Sequence, residues 1–261
     1  MKKPIINVEF EDQGTDGKAN SRRRFLKNSG LLVAGTGLFM YSCSDDGLEE
    51  ELLTADAVAD MRAGKVFNLG KGDLAILNYA YVLEQLEAEY YRQVIEGDYW
   101  RNQANAEEKQ ILQDLYYHEV IHRDFLKIAI SSVAPPGKIA PDLIFDFSSV
   151  NFGSRDEVLR IAQILEDTGV AAYNGAGNLL ENTDYLLVAG KIVSVEARHA
   201  AAIRDLIFPG TTYFASDDVL VDILGTGKAY DKALDPRDVL AAVAATGFLQ
   251  TKIIANNVPT N

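Results

Sequence analysis

A single cysteine, Cys43, is the whole thiol content of this 261-residue chain. That excludes an intramolecular disulfide, and it excludes a thiolate-held iron centre of the four-cysteine kind. Positive charge is also short: 25 Lys and Arg against 38 Asp and Glu leave a formal −13. Phosphate contacts need a basic face, so a general nucleic-acid binder is excluded. The apolar segment from 31 to 40 falls short of the roughly 20 residues that a transmembrane helix needs. Strand-like alternation is scarce. What remains, 48% hydrophobic and 24% charged residues, is the composition of an ordinary folded domain.

The first forty-odd residues read as a leader. In "SRRRFLKNSGLLVAGTGLFMYSC", Ser21, Arg22, Arg23, Phe25, Leu26 and Lys27 fall on a pattern that resembles a twin-arginine export signal. Cys43 then stands directly after the apolar segment and before "SDDGLEEE", a setting similar to a bacterial lipoprotein processing site. The expectation for residues 1–43 is export to the periplasm or cell envelope with a lipid anchor at Cys43, ahead of plain cleavage or an uncleaved anchor. Residues 1–42 hold seven Lys/Arg and four Asp/Glu, so the chain from Cys43 onward carries −16. Residues 44–69 form an acidic spacer, and 70–261 the folded domain.

Helical periodicity dominates that domain. Residues 73–96 predict a long amphipathic helix, with Leu77, Tyr81, Glu84, Ala88 and Tyr91 on one face. Residues 105–133 predict a second, acidic in its first turn and stopped by Pro135, Pro136 and Gly137. A long connection to about 154 follows. A third helix is expected over 154–180, capped at Ser154 with Glu157 three residues on, and a fourth over 183–207. A shorter C-terminal helix should begin at Asp235 and Pro236. The class is all-α. The long second-to-third connection is what a crossover between two helical hairpins requires.

Three histidines are few, and two of them are placed alike. Glu119 stands three residues before His122, and Glu196 three before His199. That spacing puts each pair on one helical face. The preceding helices match as well: "LEQLEAEYY" holds Glu84 with Tyr91 seven residues on, and "LEDTGVAAY" holds Glu166 with Tyr173 seven on. Seven residues are close to two turns, so each tyrosine shares its glutamate's face. In chain order the inventory is Glu, Glu-x-x-His, Glu, Glu-x-x-His, that of a dinuclear carboxylate site in a four-helix bundle. Two divalent cations bring +4 and four carboxylates −4, so a loaded site is neutral enough for a low-dielectric core. Without metal, some of those carboxyl groups must hold protons.

"LNYAYVLEQLEAEYY", "HEVIHRDFL" and "EARHAAAIR" resemble the ferritin-like superfamily, and more closely its branch related to plant desiccation-related proteins. The likeness covers about residues 70–207. It implies a left-handed ferritin-like four-helix bundle with Glu84, Glu119, His122, Glu166, Glu196 and His199 as ligands to two divalent metal ions, iron before manganese. Superfamily members oxidise ferrous iron, reduce or dismute peroxide, or activate O2. The expected activity is thus oxidoreductase chemistry, of ferroxidase, peroxidase or catalase type, on a small oxidant. The electron donor is left open, and no nucleic acid is involved. The alternative is a non-catalytic envelope protein of the stress or desiccation type with a structural metal site. An iron-storing cage fits poorly with a leader, an anchor and long connections.

Some neighbouring residues carry alternatives. Glu87, one turn after Glu84, is the other candidate ligand on the first helix; Glu84 is preferred because its pattern recurs at Glu166, where the +3 position is Gly169. Tyr91 and Tyr173 are the candidate catalytic residues, bonding ligand carboxylates or passing electrons, against a plain core role. His118 is either a partner of a ligand or a residue at the boundary of the core, the latter preferred because position 195 on the fourth helix is Val. Asp124 and Arg198 are candidates to orient ligands, or solvated surface groups. The glycines of "NGAGN" lack the context of a nucleotide loop and point to helix packing or termination.

Overall fold

The first long helix is buried on every side. In the computed structural model, which describes residues 65–260, strand β1 (Val66–Asn68) leads into helix α1 (Gly72–Glu96). All residues of α1 from Ala75 to Ala88 are buried. An amphipathic helix with a wet face was expected; the finding is a central helix instead. One side of α1 meets the other helices. The opposite side is covered by the long connection, and two polar residues seven apart hold it there. The Asn78 side chain donates to the carbonyls of Lys138 and Leu69 (2.8 and 3.2 Å) and accepts from the amide of Ala140 (2.9 Å). Gln85 accepts from the amide of Leu143 (2.9 Å) and donates to the carbonyl of Pro141 (3.3 Å). Buried loop backbone needs such partners, and these two side chains supply them.

Beyond the short helix α2 (Asp98–Asn102), α3 (Ala106–Ser131) begins with a reciprocal cap between Asn105 and Glu108. Helix α4 (Arg155–Gly177) is capped by Ser154. Only half of the expected box forms there, because the Glu157 carboxylate accepts from the amide of Asn151 instead (3.2 Å). Helix α4 also ends short of residue 180. Near its end, Gly175 is where the chain before the last helix crosses: a Cβ there would stand 1.8 Å from the carbonyl oxygen of Leu234. The Leu234 amide donates to Ala171 on the same helix (3.0 Å).

Helix α5 (Thr183–Ile207) completes the bundle. Packing runs chiefly α1 on α3 and α4 on α5, with α1–α4 and α3–α5 contacts joining the two hairpins. Tyr90, Leu112, Ile130, Leu159 and Ile203 are among the fully buried side chains of this core, each contributing about 1.5–3 kcal/mol relative to exposure. A 3-10 turn (Thr212–Ala215) and the two-residue strands β2 (Leu220–Val221) and β3 (Tyr230–Asp231) form an excursion over α4 and α5. Arg204, 1% exposed, ties it down with a fork onto Asp167 (2.9 and 2.7 Å) and a bond to Asp218 (2.7 Å). Helix α6 (Pro236–Thr246), capped by Asp235 as expected, stops at left-handed Gly247. Strand β4 (Lys252–Ile254) then pairs in parallel with β1. None of the helices among the described residues is long and apolar enough to cross a membrane. The expected export signal, Cys43 and most of the acidic spacer lie outside the described residues.

Candidate metal centre

Six side chains from four helices meet inside the bundle: Glu84 from α1, Glu119 and His122 from α3, Glu166 from α4, Glu196 and His199 from α5. The four carboxylates have no exposed surface, and His199 is 3% exposed. Nδ1 of His122 lies 3.0 Å from Glu196, 3.4 Å from Glu84 and 3.5 Å from Glu119. Nδ1 of His199 lies 2.8 Å from Glu119, 3.5 Å from Glu166 and 3.9 Å from Glu196.

The donors sort into two overlapping sets. Glu84, Glu119, His122 and Glu196 form one, and Glu119, Glu166, Glu196 and His199 the other; within each, donor atoms lie within 4.8 Å of one another. Each set has its own helix-α1 or helix-α4 glutamate and its own histidine. Glu119 and Glu196 belong to both. Each set could hold a cation, and the two sets share two carboxylates.

Burial makes the arrangement costly as it stands. Eight buried atoms of this cluster have no partner outside it and meet one another only as close His–Glu contacts: both oxygens of Glu119 and of Glu196, one each of Glu84 and Glu166, and Nδ1 of both histidines. Unpaired buried polar atoms are rare because each costs about 1–3 kcal/mol, and more when charged. Eight that converge, all electron-pair donors of the kind hard and borderline cations take, fit a metal site.

Charge tells the same story. Burial first, then neighbouring carboxylates, push Glu196 and Glu87 well above the ordinary carboxylate range. Burial likewise raises Glu166, and it raises Glu84 to about 7 against the pull of His122. Glu119 is the exception. Burial pushes it up too, but His122 and His199 outweigh that and hold it at about 2. Burial lowers both ligand-facing histidines, yet the surrounding carboxylates prevail, taking His122 to about 12 and His199 to about 11. Without metal the cluster neutralises itself with protons.

The two tyrosines hold the outer edge. Tyr91 on α1 donates to Oε1 of Glu166 on α4 (2.6 Å), and Tyr173 on α4 donates to Oε1 of Glu84 on α1 (2.5 Å). Each shares a face with the glutamate of its own helix but bonds to the glutamate of the other. Spacing along one helix could not show that exchange. In both glutamates the bonded oxygen faces away from the orphaned one, so the hydroxyl fixes which oxygen turns inward.

A family model described as a ferritin-like domain matches residues 72–209. The chain belongs to that family. The matched range begins with α1 and ends just beyond α5, so the ferritin-like domain is the bundle that carries all six converging side chains. No curated protein matches the chain.

Other candidates fall on either side of the site. Glu87 is buried within the ferritin-like bundle but outside both donor sets. It sits over Gly169: a Cβ there would come within 3.1 Å of Glu87 Oε1 and 3.3 Å of Glu196 Oε2. The residue that breaks the likeness between the two helices is the one that leaves room for an extra carboxylate. His118, read from sequence as a boundary residue, bonds to His199 (2.9 Å between Nδ1 of His118 and Nε2 of His199). Asp124 pairs with Arg123 at the surface (2.8 Å), and Arg198 is exposed, so the site takes neither. The clamping of the connection by Asn78 and Gln85 was not read from sequence; two amides seven apart on an otherwise apolar face were its signal.

Proposed function

We propose that the cluster holds two divalent metal ions and that the loaded protein is an oxidoreductase acting on peroxide or O2. Iron is placed ahead of manganese. The observation that carries this reading is the set of eight buried donor atoms that converge on one another, in two overlapping groups, with no partner outside the cluster. One ion would take Glu84 and His122, the other Glu166 and His199, with Glu119 and Glu196 shared. Bound there, a redox-active pair would supply electrons to a small oxidant.

The protein's own contribution is positioning, dryness and charge. Burial keeps the carboxylates away from bulk water, which strengthens their electrostatic interactions. Four carboxylates offset four positive charges, which lets the site sit in a dielectric where an unbalanced charge would cost several kcal/mol. Tyr91 and Tyr173 remain protonated, because burial first and the neighbouring carboxylates next drive their hydroxyls well up. They therefore act as donors that orient Glu166 and Glu84, and as the nearest groups able to give a proton or an electron inward.

Around this core stand the remaining parts of the reading: export, a lipid anchor at Cys43 in the cell envelope, an electron donor from outside the chain, and kinship with the desiccation-related branch. Stopped-flow absorbance on mixing Fe(II)-loaded protein with hydrogen peroxide tests the activity. Rapid oxidation that Glu119→Ala abolishes is the expected result. Oxidation no faster than that of Fe(II) in buffer, from protein that still binds the metal, would favour the non-catalytic envelope role.

A further inference from the structure

The two donor sets mirror each other closely, but only one of their histidines is supported from behind. His199 faces the carboxylates with Nδ1, 2.8 Å from Glu119. Its other ring nitrogen lies 2.9 Å from Nδ1 of His118, with the rings nearly parallel at 11° and their centres 5.1 Å apart. His118 is on α3, immediately before Glu119, and is exposed. The position that corresponds to it on α5, immediately before Glu196, is Val195. A valine side chain can neither donate nor accept a hydrogen bond. His122 therefore receives no matching support from α5.

That difference has a chemical consequence. A histidine that gives the Nδ1 lone pair to a cation must carry its proton on Nε2. In His199 that proton has an acceptor waiting, Nδ1 of His118. One bond selects the tautomer of His199, fixes its ring plane and raises the donor strength of the inward nitrogen. The Glu166–His199 set is preorganised. The Glu84–His122 set has only its carboxylate contacts to orient its histidine, with no matching bond from α5.

We propose that His118 is a positioning residue for His199 and makes the Glu166–His199 position the tighter of the two, so that the pair of cations loads in sequence. The inference rests on reading the cluster as a two-metal site. Losing a partner of this kind weakens metal binding about 10–100-fold.

Titration of metal-free, full-length protein with Co(II) alone, followed by calorimetry and by the visible bands of bound Co(II), tests it. The unaltered protein should fill two sites in resolvable steps. His118→Ala should weaken the first step by about 10–100-fold, change its spectrum and leave the second step in place. His118→Asn, whose side-chain oxygen occupies the place of Nδ1 and can accept from Nε2 of His199, should restore most of the affinity and the spectrum. Val195→Ala, the matched change on α5, should move neither step. Two equal sites in the unaltered protein, no effect of His118→Ala, or equal weakening of both steps without rescue by Asn would overturn the proposal while leaving the two-metal reading intact. No Co(II) uptake by the unaltered protein would overturn both.

Discussion

Tyr173 reaches from α4 across the bundle to donate to Glu84 on α1, at 2.5 Å between two buried groups. The bond leaves Glu84 Oε2 as its one unpartnered oxygen. Tyr173→Phe keeps the ring and its packing but strands Oε1 as well. Hydrogen bonds to charged groups contribute about 1.5–3 kcal/mol, so the metal-free protein should lose about that much in denaturant unfolding. Tyr91→Phe should do the same to Glu166. Stability unchanged in both variants would mean that these hydroxyls do not hold the carboxylates.

Protons that stand in for metal should make the metal-free protein sensitive to alkali. Glu84, Glu166 and Glu196 are raised above the ordinary 4.5, burial being the first cause. His122 and His199 are raised above 6.5 to about 12 and about 11, the carboxylates overcoming burial. A group raised on folding holds a proton that the unfolded chain has released. Its contribution is complete below the unfolded pKa and lost as pH climbs through the folded one. Glu119, lowered to about 2, acts oppositely and stabilises until acid reaches it. The net expectation is a melting temperature of the chelator-treated protein that falls from about pH 5 upward, the histidine contribution being spent only near pH 11 to 12. Metal uptake should release protons and tighten over the same range. A melting temperature that rises with pH in the metal-free protein would contradict this account.

Two glycines on α4 should respond differently to the same methyl group. Gly169→Ala puts a Cβ 3.1 and 3.3 Å from the carboxylate tips of Glu87 and Glu196, which can shift slightly. Helix propensity favours Ala by up to about 1 kcal/mol. Thermal stability should hold or rise, while metal affinity falls as Glu196 is displaced. Gly175→Ala meets backbone, 1.8 Å from the Leu234 carbonyl oxygen. Backbone cannot yield without moving the segment that leads into α6, so a loss of about 1–3 kcal/mol or more is expected, with the donor cluster intact. Melting curves and metal titration of the two variants separate these outcomes.

The four long helices, and the caps at Ser154 and Asp235, were legible because helical period, N-caps and stop residues are local properties of the chain. Glu84, Glu119, His122, Glu166, Glu196 and His199 were legible for a related reason. Three- and seven-residue spacings place side chains on a helix face whatever that helix packs against. The full burial of α1 was not, because the covering connection of 132–154 has no periodicity of its own and is held by two amides whose partners are 56 to 62 residues away in sequence.

Within a helix, then, the sequence by itself determined which residues face the same way, and hence the candidate donors. Only the tertiary structure decided how the donors sort into two sets, that Tyr91 serves Glu166 and Tyr173 serves Glu84, and that His118 stands behind His199. These are contacts between helices. They depend on the distance and rotation at which the rods pack, and a one-dimensional pattern carries neither.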